Sequence, residues 1–177
     1  MMFGASGSID VRFVPPAVRD APVGSVVETS PARAAVARMI GEAVMQNGGA
    51  ALVIDYGFEG PAIGDTLQAV KAHAFADVLA EPGHADVTSH VDFTALRDAF
   101  VDGTAAVLPL ASQGEFLDRL GARERVLALK RSASTSQAQD LDAAYARLTG
   151  HAAMGSLFKV LCAYAPETLQ PAGFSDA

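Results

Sequence analysis

From Pro31 to Asn47, the apolar residues Val36, Met39, Ile40, Ala43 and Val44 recur at helical spacing and predict one helix with its stripe against a core. Ser30 followed by Pro31 is a start signal: the hydroxyl can accept an orphan backbone N–H, and proline at the first helical position loses no needed donor. Gly48 and Gly49 supply the left-handed residue that ends a helix. Ala50 to Asp55 then runs apolar without alternation, which predicts a short strand covered on both faces, ending on a carboxylate and breaking at Gly57. Helix, tight turn and buried strand in that order make one step of a doubly wound α/β sheet.

The rest of the chain is more punctuated. Residues 1–29 read as an irregular N-terminal arm, with a strand or hairpin arm from Ser8 to Val14 ended by Pro15-Pro16. Gly57 to Asp65 is a glycine-rich connection, Thr66 to Phe75 reads as extended, and Pro82-Gly83 is a turn. Asp92 reads as the cap of a helix from Phe93 to Val101, with Phe93, Leu96 and Phe100 inward and Gly103 closing it. A strand is predicted from Ala105 to Ala111, and Ser112-Gln113-Gly114-Glu115 fits a capping box. Helices follow over 122–131 and 136–149, then a last strand from Leu157 to Tyr164 and a loose tail over 166–177. The expected domain is therefore an α/β unit spanning 30–165.

Composition narrows the partners. The 177 residues carry 13 basic and 20 acidic side chains, a formal net charge of −7, which argues against nucleic acid. Arg123, Arg125, Lys130 and Arg131 cluster, with Glu124 among them, as a solvated helix face. No apolar run reaches the roughly 18 residues a bilayer span needs, so no membrane partner is expected. The single cysteine, Cys162, forms no internal disulfide and sits in an apolar strand as a buried thiol. No secretory leader is visible, and the expected compartment is the reducing cytoplasm.

Candidate chemistry starts at Asp55, because ligands of open α/β sheets bind beyond the carboxyl ends of the strands. The competing reading is that Asp55 merely holds loop amides. Gly57, Gly60 and Gly64 lack the G-x-G-x-x-G spacing of a phosphate cradle and read as a loop over a site or a plain connector. His84-Ala85-Asp86 and His90-Val91-Asp92 repeat a His-x-Asp pattern, which would let a small hydrolase hold a divalent metal. Against this, Asp92 is already explained as a cap and His90 as a pocket residue, so no metal is expected. His73 and His151 have no evident partners.

Several strings together are specific: Val27-Glu28-Thr29-Ser30-Pro31, Gly48 to Gly57, Gly64 to Ala69, Ala85 to Phe93, Gln113 to Leu117 and Met154 to Val160. In order and spacing they resemble the MidA-like family of S-adenosylmethionine-dependent methyltransferases, whose mitochondrial members are protein arginine methyltransferases. The resemblance runs from Val26 to Phe174. It implies the C-terminal half of a class I, Rossmann-like methyltransferase sheet with helices on both faces. Strand 50–55 would be its fifth strand and the last would run antiparallel. The family's E-x-G-P-G cofactor loop, acidic ribose position and Asn-Glu motif find no match, so no S-adenosylmethionine-binding residue carries over. Asp55, His90 and Asp92 are the implied catalytic candidates, with Glu28, Tyr56 and Thr88 on the side of a protein substrate. A fifth strand without its fourth-strand neighbour leaves an open edge. That edge calls for a separate N-terminal half or for self-association through 50–55. The alternative to an enzyme is a remnant or assembly module.

Overall fold

The computed structural model describes residues 16–81 and 83–174; the expected strand from Ser8 to Val14, and Pro82, lie outside them. The first long helix, α1 (Pro31–Asn47), has the predicted bounds: the Ser30 hydroxyl accepts from the Arg33 N–H, and Gly48 returns its N–H to the Val44 carbonyl. Of the predicted stripe only Val44 lies on its buried face. Ala37, Gly41 and Val44 are buried, whereas Val36, Met39, Ile40 and Ala43 are exposed. Small residues face inward because α2 (Phe93–Asp102) crosses very close. A Cβ on Gly41 would stand 2.8 Å from the Phe100 carbonyl oxygen, and one on Gly103 would stand 2.4 Å from that of Arg38.

Strand β1 (Gly49–Phe58) pairs along its length, antiparallel, with β8 (Phe158–Ala165). It continues through Gly57 rather than breaking there. A Cβ at Gly57 would lie 2.2 Å from the Val91 carbonyl oxygen, so glycine is what lets the next strand approach. That strand is β5 (Val91–Asp92), parallel to β1 and bonded only opposite Gly57 and Phe58. On its other side β8 pairs with β6 (Ala106–Val107) and β7 (Ala111–Ser112). The main sheet thus runs β5-β1-β8-β6, with its last strand antiparallel as expected. The strand predicted over 105–111 is split by a bulge. Three residues, Leu108 to Leu110, lie opposite only Leu161 and Cys162, and Pro109 has no N–H to give to a ladder.

Helices cover both faces. On one, α1 and α2 bury Phe93, Leu96, Phe100, Leu161 and Ala163. On the other, α3 (Gln113–Arg119) brings Phe116 onto Ala111 and Val160. The tail is not loose at Phe174, whose ring lies 5.3 Å from that of Phe116. The Ser112–Glu115 capping box is present, and a second, Ser134 with Gln137, opens α5 (Thr135–Thr149). α4 (Ala122–Lys130) and α5 form a hairpin against α3, tied by Lys130 to Asp142 at 2.5 Å and by Gln113 Nε2 donating to the Leu148 carbonyl. One turn, α6 (Met154–Leu157), leads into β8. The segment read as extended over 66–75 is a hairpin, β2 (Gln68–Lys71) and β3 (Ala74–Ala76), turning on Ala72 and His73. β4 (Asp86–Thr88) completes this separate three-stranded arm. No helix among the described residues is long and apolar enough to cross a membrane.

Candidate active site

Beyond the carboxyl end of β1 four segments converge on a cavity of about 240 Å³, lined among others by Glu28, Thr29, Arg33, Ser89, Asp92 and Leu96. α1 packs antiparallel to β1's direction, so its first turn delivers Arg33 to the level where β1 ends and α2 begins. Thr66 fixes Glu28: Glu28 Oε1 accepts the Thr66 N–H at 3.0 Å, and its Oε2 accepts the Thr66 hydroxyl. Thr66 Oγ1 in turn accepts the His90 N–H at 2.9 Å. The Arg33 guanidinium reaches the His90 carbonyl and the Ser89 hydroxyl, each at 3.5 Å. Asp92 Oδ1 caps α2 by accepting from Thr94 N at 3.0 Å and Ala95 N at 3.1 Å. A Cβ on Gly60 would stand 2.7 Å from Asp92 Oδ2, so the loop after β1 lies directly against this carboxylate.

Of the residues singled out from the sequence, Glu28 and Asp92 line the cavity. His90 does not line it; its backbone N–H is held by Thr66 and its carbonyl by Arg33, while its ring meets Tyr56 edge-on at 5.3 Å, and Tyr56 meets Phe158 at 5.4 Å. Asp55 stands apart, its Oδ1 accepting the N–H of Tyr56 at 2.8 Å and its cross-strand neighbour being Lys159. Thr88 sits in the arm, paired with Gln68. Arg33, Thr66 and Ser89 are additions; each lies inside or beside a string already recognised, and only the fold brings them together. The two His-x-Asp pairs do not converge. His84 and Asp86 border a surface hollow with Lys71, and no group of three or more metal-ligating side chains gathers among the described residues. The Cys162 thiol is buried, and burial pushes its pKa up, away from nucleophilic use.

Residues 7–109 match the family described as "Putative S-adenosyl-L-methionine-dependent methyltransferase". The chain belongs to this family. It is 35% identical over 127 residues to the mitochondrial protein arginine methyltransferase NDUFAF7 homolog of Drosophila melanogaster, covering 71% of this chain and 29% of that protein. The Homo sapiens protein arginine methyltransferase NDUFAF7 is 34% identical over 145 residues, 81% of this chain and 32% of the relative. A Burkholderia thailandensis protein crystallised with S-adenosyl-homocysteine superposes with a TM-score of 0.68 at 30% identity. That match covers 84% of this chain and 38% of the other. The chain thus spans about a third of the length of these relatives.

The described residues do not fit the whole methyl donor. A cavity of about 240 Å³ is smaller than the ~300 Å³ at which small-molecule pockets begin. The glycines beside it are not a cradle either, since Gly57 and Gly60 are packed against Val91, Phe93 and Asp92.

Proposed function

We propose that this chain is the acceptor-side part of an S-adenosylmethionine-dependent protein arginine methyltransferase, with the donor held by polypeptide beyond the described elements. The observation that carries this reading is the pair of carboxylates, Glu28 and Asp92, lining the cavity at the end of β1. The relatives' printed names support it. A guanidinium is planar and offers five N–H donors, which carboxylates receive in well-directed, charge-assisted bonds. Arg33 offsets one of the two negative charges, and the remainder suits one cation. Thr66 holds Glu28 in place before any acceptor arrives, so little reorganisation is needed on binding. Tyr56 and His90 border the same loops as the next acceptor-side residues. Asp55 and Thr88 stand farther back.

The test is a nuclear magnetic resonance titration with an arginine peptide and its citrulline counterpart, which lacks the charge. Amides of Glu28, Arg33, Ser89 and Asp92 should shift with arginine and not with citrulline. Glu28→Gln should abolish the response, and Asp92→Asn should weaken it while keeping the helix cap, since asparagine caps as well as aspartate. Equal responses to the two peptides would remove the arginine reading. The chain alone should bind S-adenosylmethionine more weakly than about 10 μM, a usual affinity for a preformed site. Tighter binding by calorimetry would place a complete cofactor pocket in this chain. The second reading, a binding module without catalysis, is favoured by the lack of a glycine cradle among the described residues. It predicts no methyl transfer even when the donor-binding part of a relative is supplied.

A further inference from the structure

We infer that Arg33 recognises a carboxylate of the acceptor, so that the preferred acceptor arginine has an aspartate or glutamate two residues away in its own chain. This rests on the reading above and deepens it, since Glu28 and Asp92 are taken there to receive the acceptor's guanidinium. Arg33 lines the same cavity as those two carboxylates, yet among the described residues it forms an ion pair with neither. Its guanidinium is held by the His90 carbonyl and the Ser89 hydroxyl, each at 3.5 Å, well beyond the typical ~2.9 Å of an N–H···O bond. A guanidinium has donors to spare beyond those two. The carboxylates, by contrast, are engaged by uncharged donors. Both Glu28 oxygens accept from Thr66, and Asp92 Oδ1 accepts the Thr94 and Ala95 amides. The cavity therefore keeps its opposite charges apart, and the remaining lone pairs of the carboxylates stay open to a ligand.

Helix α1 gains nothing from a cation at this position. The Ser30 hydroxyl accepts the Arg33 N–H, and a glutamate there would complete a capping box, as Glu115 does after Ser112. Arginine instead adds positive charge to the positive end of the helix dipole. The first turn of α1 attracts an anion through both. A planar, singly charged carboxylate matches the guanidinium fork. A phosphate dianion would meet stronger repulsion from Glu28 and Asp92 across the cavity. The charges lining it are Glu28, Asp92 and Arg33, a negative balance, so an anion enters best when it arrives with a cation. An extended segment presents residues two apart on one face. Arginine and acid at that spacing each meet the opposite charge.

The experiment titrates the 177-residue chain with end-blocked glycine peptides and follows its amides by nuclear magnetic resonance. Each peptide carries arginine or citrulline, and two residues away aspartate or asparagine, in both orders. In one order the arginine–aspartate peptide should bind about 10-fold more tightly than arginine–asparagine, the low end for a charge-assisted pair. Arg33→Gln should remove that difference. Arg33→Glu should reverse it, now favouring a peptide with lysine in place of aspartate, which a merely structural Arg33 would not produce. Both variants keep the Ser30 cap, because the cap uses the backbone N–H of residue 33. Equal affinity for aspartate and asparagine in both orders overturns the inference and leaves the arginine reading intact. An aspartate preference that depends on Arg33 and survives the change to citrulline keeps the carboxylate site and removes the arginine reading. No response to any of the peptides overturns both. Free methionine, which carries the α-carboxylate of the methyl donor, should not compete. Methionine that shifts the Arg33 amide and displaces the acidic peptide assigns the anion to the donor and overturns the inference.

Discussion

Strands β1 and β8 run side by side, are both apolar, and have opposite fates. In β8 every residue from Val160 to Ala163 is at most 1% exposed, because helices lie on both faces and strands on both edges. In β1 the residues cross-strand from Val160 and Cys162 are Ile54 and Leu52, and both stand about half exposed. Composition does not distinguish the two; position in the sheet does. The same holds one layer up. α1 exposes Val36, Met39, Ile40 and Met45 beside its Arg38–Glu42 ion pair, while α2 buries Phe93, Leu96, Ala99 and Phe100 and carries Arg97, Asp98 and Asp102 among the rest.

The largest test of that contrast is truncation of matched leucines. Leu161→Ala should cost about 2–5 kcal/mol, the range for a fully buried leucine that leaves a cavity. Leu52→Ala should cost about 1 kcal/mol or less, since much of its side chain is already in water. Urea unfolding with unchanged slope would measure both. Equal losses would mean that β1 is as well covered in solution as β8.

A second contrast uses thiols on the same two strands. Cys162 is buried, with its pKa raised by burial, so its labelling must wait for an opening of the sheet. A cysteine placed at Leu52, in a Cys162→Ala background, should be labelled at least about 100-fold faster, because local openings of core strands approach the global unfolding free energy. Similar rates would show that the β8 side opens as readily as the edge.

How much of this was legible depends on the range of the interactions that decide it. The ends of α1 and α2 and the capping box at Ser112 are set by side chains within four residues, and the sequence shows them. The buried face of α1 is set by α2, more than fifty residues away in the chain. There Gly41 and Gly103 trade side-chain bulk for close approach, so an apolar stripe on the outer face misleads. The break at Pro109 was readable from proline's missing donor, but the bulge needs the β8 register to be seen. At the site, Glu28 and Asp92 could be chosen as charged residues within recognised strings. Arg33, Thr66 and Ser89 join them only because the loop after β1 and the three-stranded arm fold back onto α1.

The β8 side also holds its covering helix through a cap, and this gives a smaller test. Ser112 pairs with Lys159 of β8 and its hydroxyl accepts the Glu115 N–H that begins α3. Ser112→Ala should cost about 1 kcal/mol, the usual value of such a cap. Among the described residues no comparable cap ties a helix to the outer face of β1. The loss should therefore appear as looser packing of Phe116 on Val160, with exchange along Leu52 and Ile54 unchanged. A spread of the effect to β1 would mean that the two sides of the sheet share more support than their packing indicates.

The smallest effect separates the charge of Glu115 from the shape of the cap. Its pKa is lowered first by the hydrogen bond from the Ser112 backbone N–H, then by the Ser112 hydroxyl, with Arg119 and Lys159 adding attraction against a small desolvation cost. A carboxyl lowered in the folded state binds its proton more weakly there than in the unfolded chain. Its contribution is thus complete above the unfolded value near 4.5 and fades as pH falls through the folded one. Solvent screening of this exposed group keeps the contribution below that of the cap itself. Glu115→Gln keeps a hydrogen-bonding side chain at the same capping-box position, so its difference from the parent reports the charge alone. That difference should be present at pH 7 and shrink toward zero on acidification, while the cost of Leu161→Ala persists. A Glu115→Gln difference that stays constant to pH 3 would assign the cap's strength to shape, with the carboxylate contributing nothing to how α3 covers β8.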